Sequence, residues 1–110
     1  MTDRELLEMA AKAAGYALTK GSSGYREFLC KGGVEWNPLT DDGDALRMAV
    51  DLRIDIYPWI SEEDPTSSAM ARNDHGFRAI EFASKNRGCR YAATRRAITR
   101  AAAEIGRSMA

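Results

Sequence analysis

One histidine, two cysteines and three prolines are all that this 110-residue chain holds of those residues, and each shortage closes off a class of function. His75 is alone, and Cys30 and Cys89 lie far apart. No His-x-x-x-His or Cys-x-x-Cys spacing exists, so no metal site is expected. His75 sits beside Asp74 in a turn-like stretch and reads as an exposed turn residue rather than half of a catalytic pair. No apolar run approaches the ~20 residues that a membrane helix needs, so no membrane partner is expected. No leader-like segment opens the chain, which sets the expected compartment as the cytoplasm, where both thiols stay reduced. Gly21-Ser22-Ser23-Gly24 and Gly32-Gly33 do not precede a helix as a phosphate loop would. Internal repeats and low-complexity segments are missing too. With this inventory the expectation is a protein that is not an enzyme and carries no cofactor.

Net charge is also lacking: sixteen basic residues balance sixteen acidic ones, and no stable nucleic-acid partner is expected. The signs are nevertheless segregated. Glu35, Asp41, Asp42, Asp44, Asp51, Asp55, Glu62, Glu63 and Asp64 crowd the middle against Arg47 and Arg53. Beyond Ser84, Lys85, Arg87, Arg90, Arg95, Arg96, Arg100 and Arg107 face a single acid, Glu104. Such patches attract each other between subunits, attract separate ligands, or are simply solvated faces.

What is present supports one compact domain spanning residues 1–110. The composition is 45% hydrophobic and 29% charged, which argues against disorder. The stretch from Trp36 to Ile60 organises the rest. Pro38 keeps Asn37 extended, Thr40 is the expected N-cap of a central helix, and Asp41, Asp42 and Asp44 suit the positive end of its dipole. Those aspartates resemble a calcium loop only superficially, because the later ligands and closing glutamate are absent. Leu46, Ala49 and Val50 fall on one helical face, with Ala45, Met48 and Leu52 on its flanks. Ile54-Asp55-Ile56 alternates as a strand, and Pro58 confines that strand to a sheet edge or bulge.

Around this stretch, Thr2-Asp3-Arg4-Glu5 opens a first helix whose small residues suit close packing on a sheet, and Gly15 stops it. Residues 16–20 and 25–31 form a hairpin about Gly21-Ser22-Ser23-Gly24, with Tyr16, Leu18, Phe28 and Cys30 facing the core. Residues 61–68 read as loop. Strands near 69–72 and 77–83 form a second hairpin about Asn73-Asp74-His75-Gly76, with Ile80 and Phe82 inward. A last helix over 91–108 carries an apolar stripe of Thr94, Ile98, Ala101 and Ile105, with Arg96, Arg100 and Arg107 opposite. The fold class is therefore α+β: a small, mainly antiparallel sheet covered by three helices, in the order α-β-β-α-β-β-β-α.

The functional reading rests on flat aromatic faces at Trp36, Tyr57, Trp59 and Tyr91, with Arg90, Arg95 and Arg96 in the first turns of the last helix. Aromatic rings stack bases, and arginines hold phosphates. The alternative is that the tryptophans anchor the core and the arginines are ordinary surface.

Three motifs resemble the phage ABA-sandwich domain family, small proteins of tailed phages and prophages. They are Leu6-Leu7-Glu8-Met9-Ala10-Ala11-Lys12-Ala13-Ala14-Gly15, Trp36-Asn37-Pro38-Leu39-Thr40-Asp41-Asp42-Gly43-Asp44-Ala45-Leu46 and Tyr91-Ala92-Ala93-Thr94-Arg95-Arg96-Ala97-Ile98. Residues 61–88 are not covered. Relatives begin the last helix with an acidic cap and a proline, where Cys89-Arg90 stands here. The resemblance implies a small sheet packed by helices and a phage or prophage setting, without an assigned activity. If the family motif marks a pocket, it carries over Trp36, Asn37, Asp41, Asp42, Asp44, Tyr91, Thr94, Arg95 and Arg96, to which the aromatic reading adds Tyr57 and Trp59. The expected function is counter-defence in the host cytoplasm, with a nucleotide-derived immune signal sequestered by a homo-oligomer, specifically a homodimer. The alternative is an inhibitor that binds a host defence nuclease or regulator through the acidic middle.

Overall fold

A computed structural model describes residues 1–57, 68–73 and 76–109. Three helices, α1 (Asp3–Ala14), α2 (Asp42–Asp51) and α3 (Arg90–Ser108), accompany six strands. Strands β1 (Leu18–Ser23), β2 (Arg26–Lys31) and β3 (Val34–Glu35) form one antiparallel sheet. Strands β4 (Asp55–Tyr57), β5 (Ser68–Arg72) and β6 (Arg78–Phe82) form the other, also antiparallel. A 3-10 turn over Ala83–Lys85 leads towards α3. The class is α+β as expected. The order gains one short strand, β3, because Gly32 and Gly33, both at positive φ, let the chain turn back on β2 instead of ending the pairing.

The caps explain where the helices lie. Thr2 accepts the Glu5 amide at 3.1 Å, and Gly15 closes α1 in the left-handed region. The expected cap at Thr40 shifts by one residue. Asp41 has extended backbone angles and its carboxylate accepts the Asp44 amide at 2.8 Å, so Asp41 is the N-cap of α2. The cause is the preceding turn, in which the Asn37 carbonyl accepts the amides of both Thr40 and Asp41. That turn occupies Thr40 before the helix can start.

Helix α1 packs chiefly on α3 rather than on a sheet. Its small face, Ala10 and Ala11, meets Ala102, Ala103 and Gly106, where backbones approach closely. The tie points Asp3–Arg96, Met9–Gly106 and Lys12–Met109 advance together, so the two helices run in the same direction. Helix α3 also covers one face of the β4–β5–β6 sheet, making it the centre of the molecule.

This alanine-lined packing inverts two expected faces. On α2 the buried residues are Ala45, Met48 and Ala49, while Leu46 and Val50 stand 57% and 68% exposed. On β6, Ala79 and Glu81 point inward, while Ile80 is half-buried and Phe82 is exposed. Alanines of α2, the second sheet and α3 share one core with Met48. Glu81 is tolerated there because Arg100 and Asn86 bond its carboxylate. Of the other positions expected in the core, Ile54 and Ile98 are buried, and Ile56 and Ile105 are half-buried.

The first hairpin extends further than expected. Strands β1 and β2 pair up to Ser23 and Arg26, leaving a two-residue turn at Gly24 and Tyr25 with positive φ only at glycine, as a type II′ turn requires. Strand β4 lies at a sheet edge, in keeping with a following proline. Ser68, expected at the end of a loop over 61–68, begins β5 instead, and Pro58, Trp59, residues 61–67 and the Asp74-His75 pair of the expected turn lie outside the described residues.

Candidate functional site

The eleven residues singled out from sequence divide among separate places. Four of them line one cleft between α2 and α3. Asp42, Ala45 and Leu46 come from α2, Ile56 from β4, and Tyr91, Thr94, Arg95 and Ile98 from α3. The cleft measures about 310 Å³, at the lower end of small-molecule sites. Its α3 wall follows directly from helical spacing, since residues at i, i+3, i+4 and i+7 share one face.

Arg95 is the oriented donor of this cleft. Its Nε donates to the Leu39 carbonyl at 2.9 Å and one terminal nitrogen donates to the Asp42 carboxylate at 2.7 Å. Two of its five N–H groups are thereby used, and the fork is held in place with three to spare. The Asp42 side chain is 74% exposed, so the ion pair itself contributes at most about 1 kcal/mol, and its main effect is positional. Tyr91, 73% exposed, lines the same cleft. The Thr94 hydroxyl is turned back onto the Arg90 carbonyl at 2.8 Å, so its methyl is what the cleft meets. Helix α3 starts on Cys89, whose Sγ accepts the Ala92 amide, and its first turn contains no acid.

Trp36 and Asp44 belong elsewhere. Trp36 is 3% exposed and meets Tyr16 edge to face, with ring centroids 5.7 Å apart. With Asp44, Lys31 and Arg47 it lines a smaller cleft of about 180 Å³. The Tyr16 phenol there donates to Asp51, and desolvation, followed by that carboxylate, holds its pKa well above the usual value. Lys31 lies 3.9 Å above the Tyr16 ring. Asn37 and Asp41 hold the turn: the Asn37 amide donates to Asp44 at 2.9 Å, its side-chain oxygen accepts the Leu39 amide, and Asp41 caps α2. The aspartates of the central motif are thus engaged in capping and pairing, Asp44 also receiving Arg47 at 2.9 Å. No group of three His, Cys, Asp or Glu is placed to hold a metal ion among the described residues.

Arg96 sits on another face of α3, bonded to Asp3 at 3.0 Å and 3.9 Å from Glu81. Arg100 joins the same cluster through Glu81 and the Ile80 carbonyl. Much of the basic strip of α3 is therefore neutralised within the fold. Tyr57 packs under Arg72, whose guanidinium lies 5.3 Å from the ring centroid and donates to the phenol oxygen. Trp59 is outside the described residues.

Leu46, Ile56 and Ile98 line the cleft although sequence reasoning placed them only in the core. One signal was available: Asp42 and Leu46 are four apart on a helix and share a face. Both cysteines are free thiols, and no helix among the described residues is long and apolar enough to cross a membrane. Comparison of the chain with protein-family models, curated proteins and solved structures finds no match.

Proposed function

We propose that this chain is a non-enzymatic accessory protein of a phage or prophage, acting in counter-defence by sequestering a nucleotide-derived signal in the α2–α3 cleft. The setting comes from the three motifs that resemble the phage ABA-sandwich domain family. The ligand class comes from the cleft, and one observation carries it: Tyr91 stands exposed over an apolar floor beside the oriented fork of Arg95. A base stacks on Tyr91 and covers Leu46 and Ile56, while the spare N–H groups of Arg95 receive an anionic or carbonyl oxygen. Trp36 and Arg96 have no part in this reading, being engaged inside the fold.

The test is a thermal-shift and calorimetry screen with mononucleotides and cyclic dinucleotides. A nucleotide should raise the melting temperature of the parent, and Tyr91→Ala should abolish the effect while leaving the free protein's melting temperature unchanged. Tyr91 suits the experiment better than Arg95, because removing Arg95 also frees the Leu39 carbonyl and destabilises the fold. If no nucleotide protects the parent, the reading fails.

A second reading is favoured by the apolar character of the same surface, where Leu46 and Val50 are exposed. In it the protein blocks a host defence protein through this face. Capture of one specific host protein by the parent, lost in Leu46→Asp, is the result that would replace the nucleotide reading.

A further inference from the structure

The β4–β5–β6 sheet has two faces, and the described helices cover one. Ile56, Ala71 and Ala79 point into the core that α3 shares, so the residues that alternate with them point the other way. Cross-strand register sets those outward side chains in rows. Tyr57, Met70 and Ile80 stand opposite one another, and Phe82 follows two residues after Ile80 on β6. Among the described residues, the core cluster takes in none of these four. Tyr57, Met70 and Ile80 are half-buried, and Phe82 is 44% exposed.

The next row is charged. Asp55, Arg72 and Arg78 are paired across the same three strands. Like charges directly opposite each other on neighbouring strands destabilise a sheet. Asp55 offsets this only in part: its carboxylate is 4.0 Å from Arg72 Nε, and no carboxylate among the described residues lies within 4 Å of Arg78. With Asn73 and Gly76 these three line a cleft of about 400 Å³. Arg72 also donates to the Tyr57 phenol with its guanidinium 5.3 Å from that ring, and Lys85 Nζ lies 5.9 Å from the Phe82 ring. The face is thus a flat apolar row edged by three cations, Arg72, Arg78 and Lys85, and one acid, Asp55.

We infer that this face binds single-stranded nucleic acid, with bases laid on Tyr57, Met70, Ile80 and Phe82 and phosphates held by Arg72, Arg78 and Lys85. A phosphate set between Arg72 and Arg78 removes their repulsion and takes charge-assisted hydrogen bonds from both. A ring with a cation beside it, occurring twice, matches a strand in which every base carries its own phosphate. A duplex keeps its bases stacked inside and would leave the apolar row uncovered. Strands spaced about 4.8 Å apart make the face about 10 Å wide, room for two or three bases. The zero net charge of the whole chain does not oppose this, because Asp41, Asp42 and Asp44 are paired with Arg47 and Arg95 on α2 and α3.

The inference stands apart from the nucleotide reading. The α2–α3 cleft meets this sheet through Ile56, which points to the opposite side.

Fluorescence anisotropy with short labelled oligoadenylates, one of DNA and one of RNA, tests it at low salt. The parent should bind, with log K falling against log salt at a slope of about −2, or about 0.7 for each contacted phosphate. Arg78→Gln should reduce the slope to about −1.4. Phe82→Leu keeps an apolar side chain but no ring; it should leave the slope unchanged and weaken binding about tenfold, as the loss of one stacked base does. Both variants should melt with the parent. Binding to either oligonucleotide supports the inference, and the tighter one names the sugar. A parent that binds neither, binding indifferent to both substitutions, or equal affinity for polyglutamate would overturn it. Loss of binding in Tyr91→Ala with retention in Phe82→Leu would place the strand in the α2–α3 cleft and overturn it too. None of these outcomes depends on whether a mononucleotide protects the parent, so the two proposals fail separately.

Discussion

Gly106 of α3 lies so close to the Met9 carbonyl of α1 that a Cβ built on it would sit 2.0 Å from the oxygen. The contact is backbone against backbone, with Ala10, Ala102 and Ala103 fully buried around it. Gly106→Ala gains helix propensity of about 1 kcal/mol, yet it must force two helices apart. Overpacking of this kind typically costs about 1–3 kcal/mol, and neither neighbour is a flexible side-chain end that can give way. The net outcome should be destabilisation, seen as a lower urea midpoint. A midpoint at or above the parent's would mean that the helices stand further apart than described.

The position of the α2 cap separates two neighbouring residues. Asp41→Ala removes the acceptor of the Asp44 amide and should cost about 1 kcal/mol. Thr40→Ala removes only a long hydroxyl contact to the Asn37 carbonyl, 3.4 Å, and should be nearly neutral. Chemical denaturation of both variants decides it. Equal losses, or a larger loss at Thr40, would return the cap to where sequence alone put it.

Those two residues show how far the sequence was legible. Helix and strand positions, the caps at Thr2 and Gly15, the edge placement of β4 and the α+β class all follow from local chemistry. The inward faces of α2 and β6 do not. On α2, Leu46 with Val50 and Ala45 with Met48 are equally good helical stripes, and size favours the wrong one. The interior beside α3 is lined by Ala93, Ala97, Ala101 and Ala102, and the α2 side chains that join that core are Ala45, Ala49 and the unbranched Met48. Leu46 and Val50 end up outside, and Glu81 inside, where Arg100 meets it. The same effect kept the cleft hidden: its Leu46 was assigned to the core. Trp36, read from sequence as a flat face for stacking, is buried and meets Tyr16 edge to face.

Tyr16 predicts a response to alkali. Desolvation, and then the Asp51 carboxylate, raise its pKa in the folded state above the ordinary value of about 10. Because the folded pKa is the higher one, the stability from this group is fully present below the unfolded pKa and is lost as pH rises through the folded value. Unfolding free energy should therefore fall above about pH 10, and Tyr16→Phe should fall less steeply over that window. A tyrosinate absorbance titration in which all four tyrosines ionise together near the ordinary value would contradict the burial of this phenol.

Gly21 and Phe28 face each other across β1 and β2, and the ring lies over the glycine. A Cβ on Gly21 would be 2.6 Å from the ring and 2.9 Å from the Cys30 sulfur. Aromatic cover of a strand glycine of this kind compensates for the missing side chain. Gly21→Ala therefore displaces a ring that is free to rotate outward, at a cost of about 1 kcal/mol, within the range for overpacking. Phe28→Ala uncovers the glycine and exposes the adjacent strand, with a loss of similar size. Combined, the two changes should cost less than their sum, because the alanine at 21 occupies space that the ring has vacated. The measurement is a double-mutant cycle by urea denaturation, with Cys30 kept reduced. Strict additivity would mean that the ring does not rest on Gly21, and the register that pairs these two residues would have to be reconsidered.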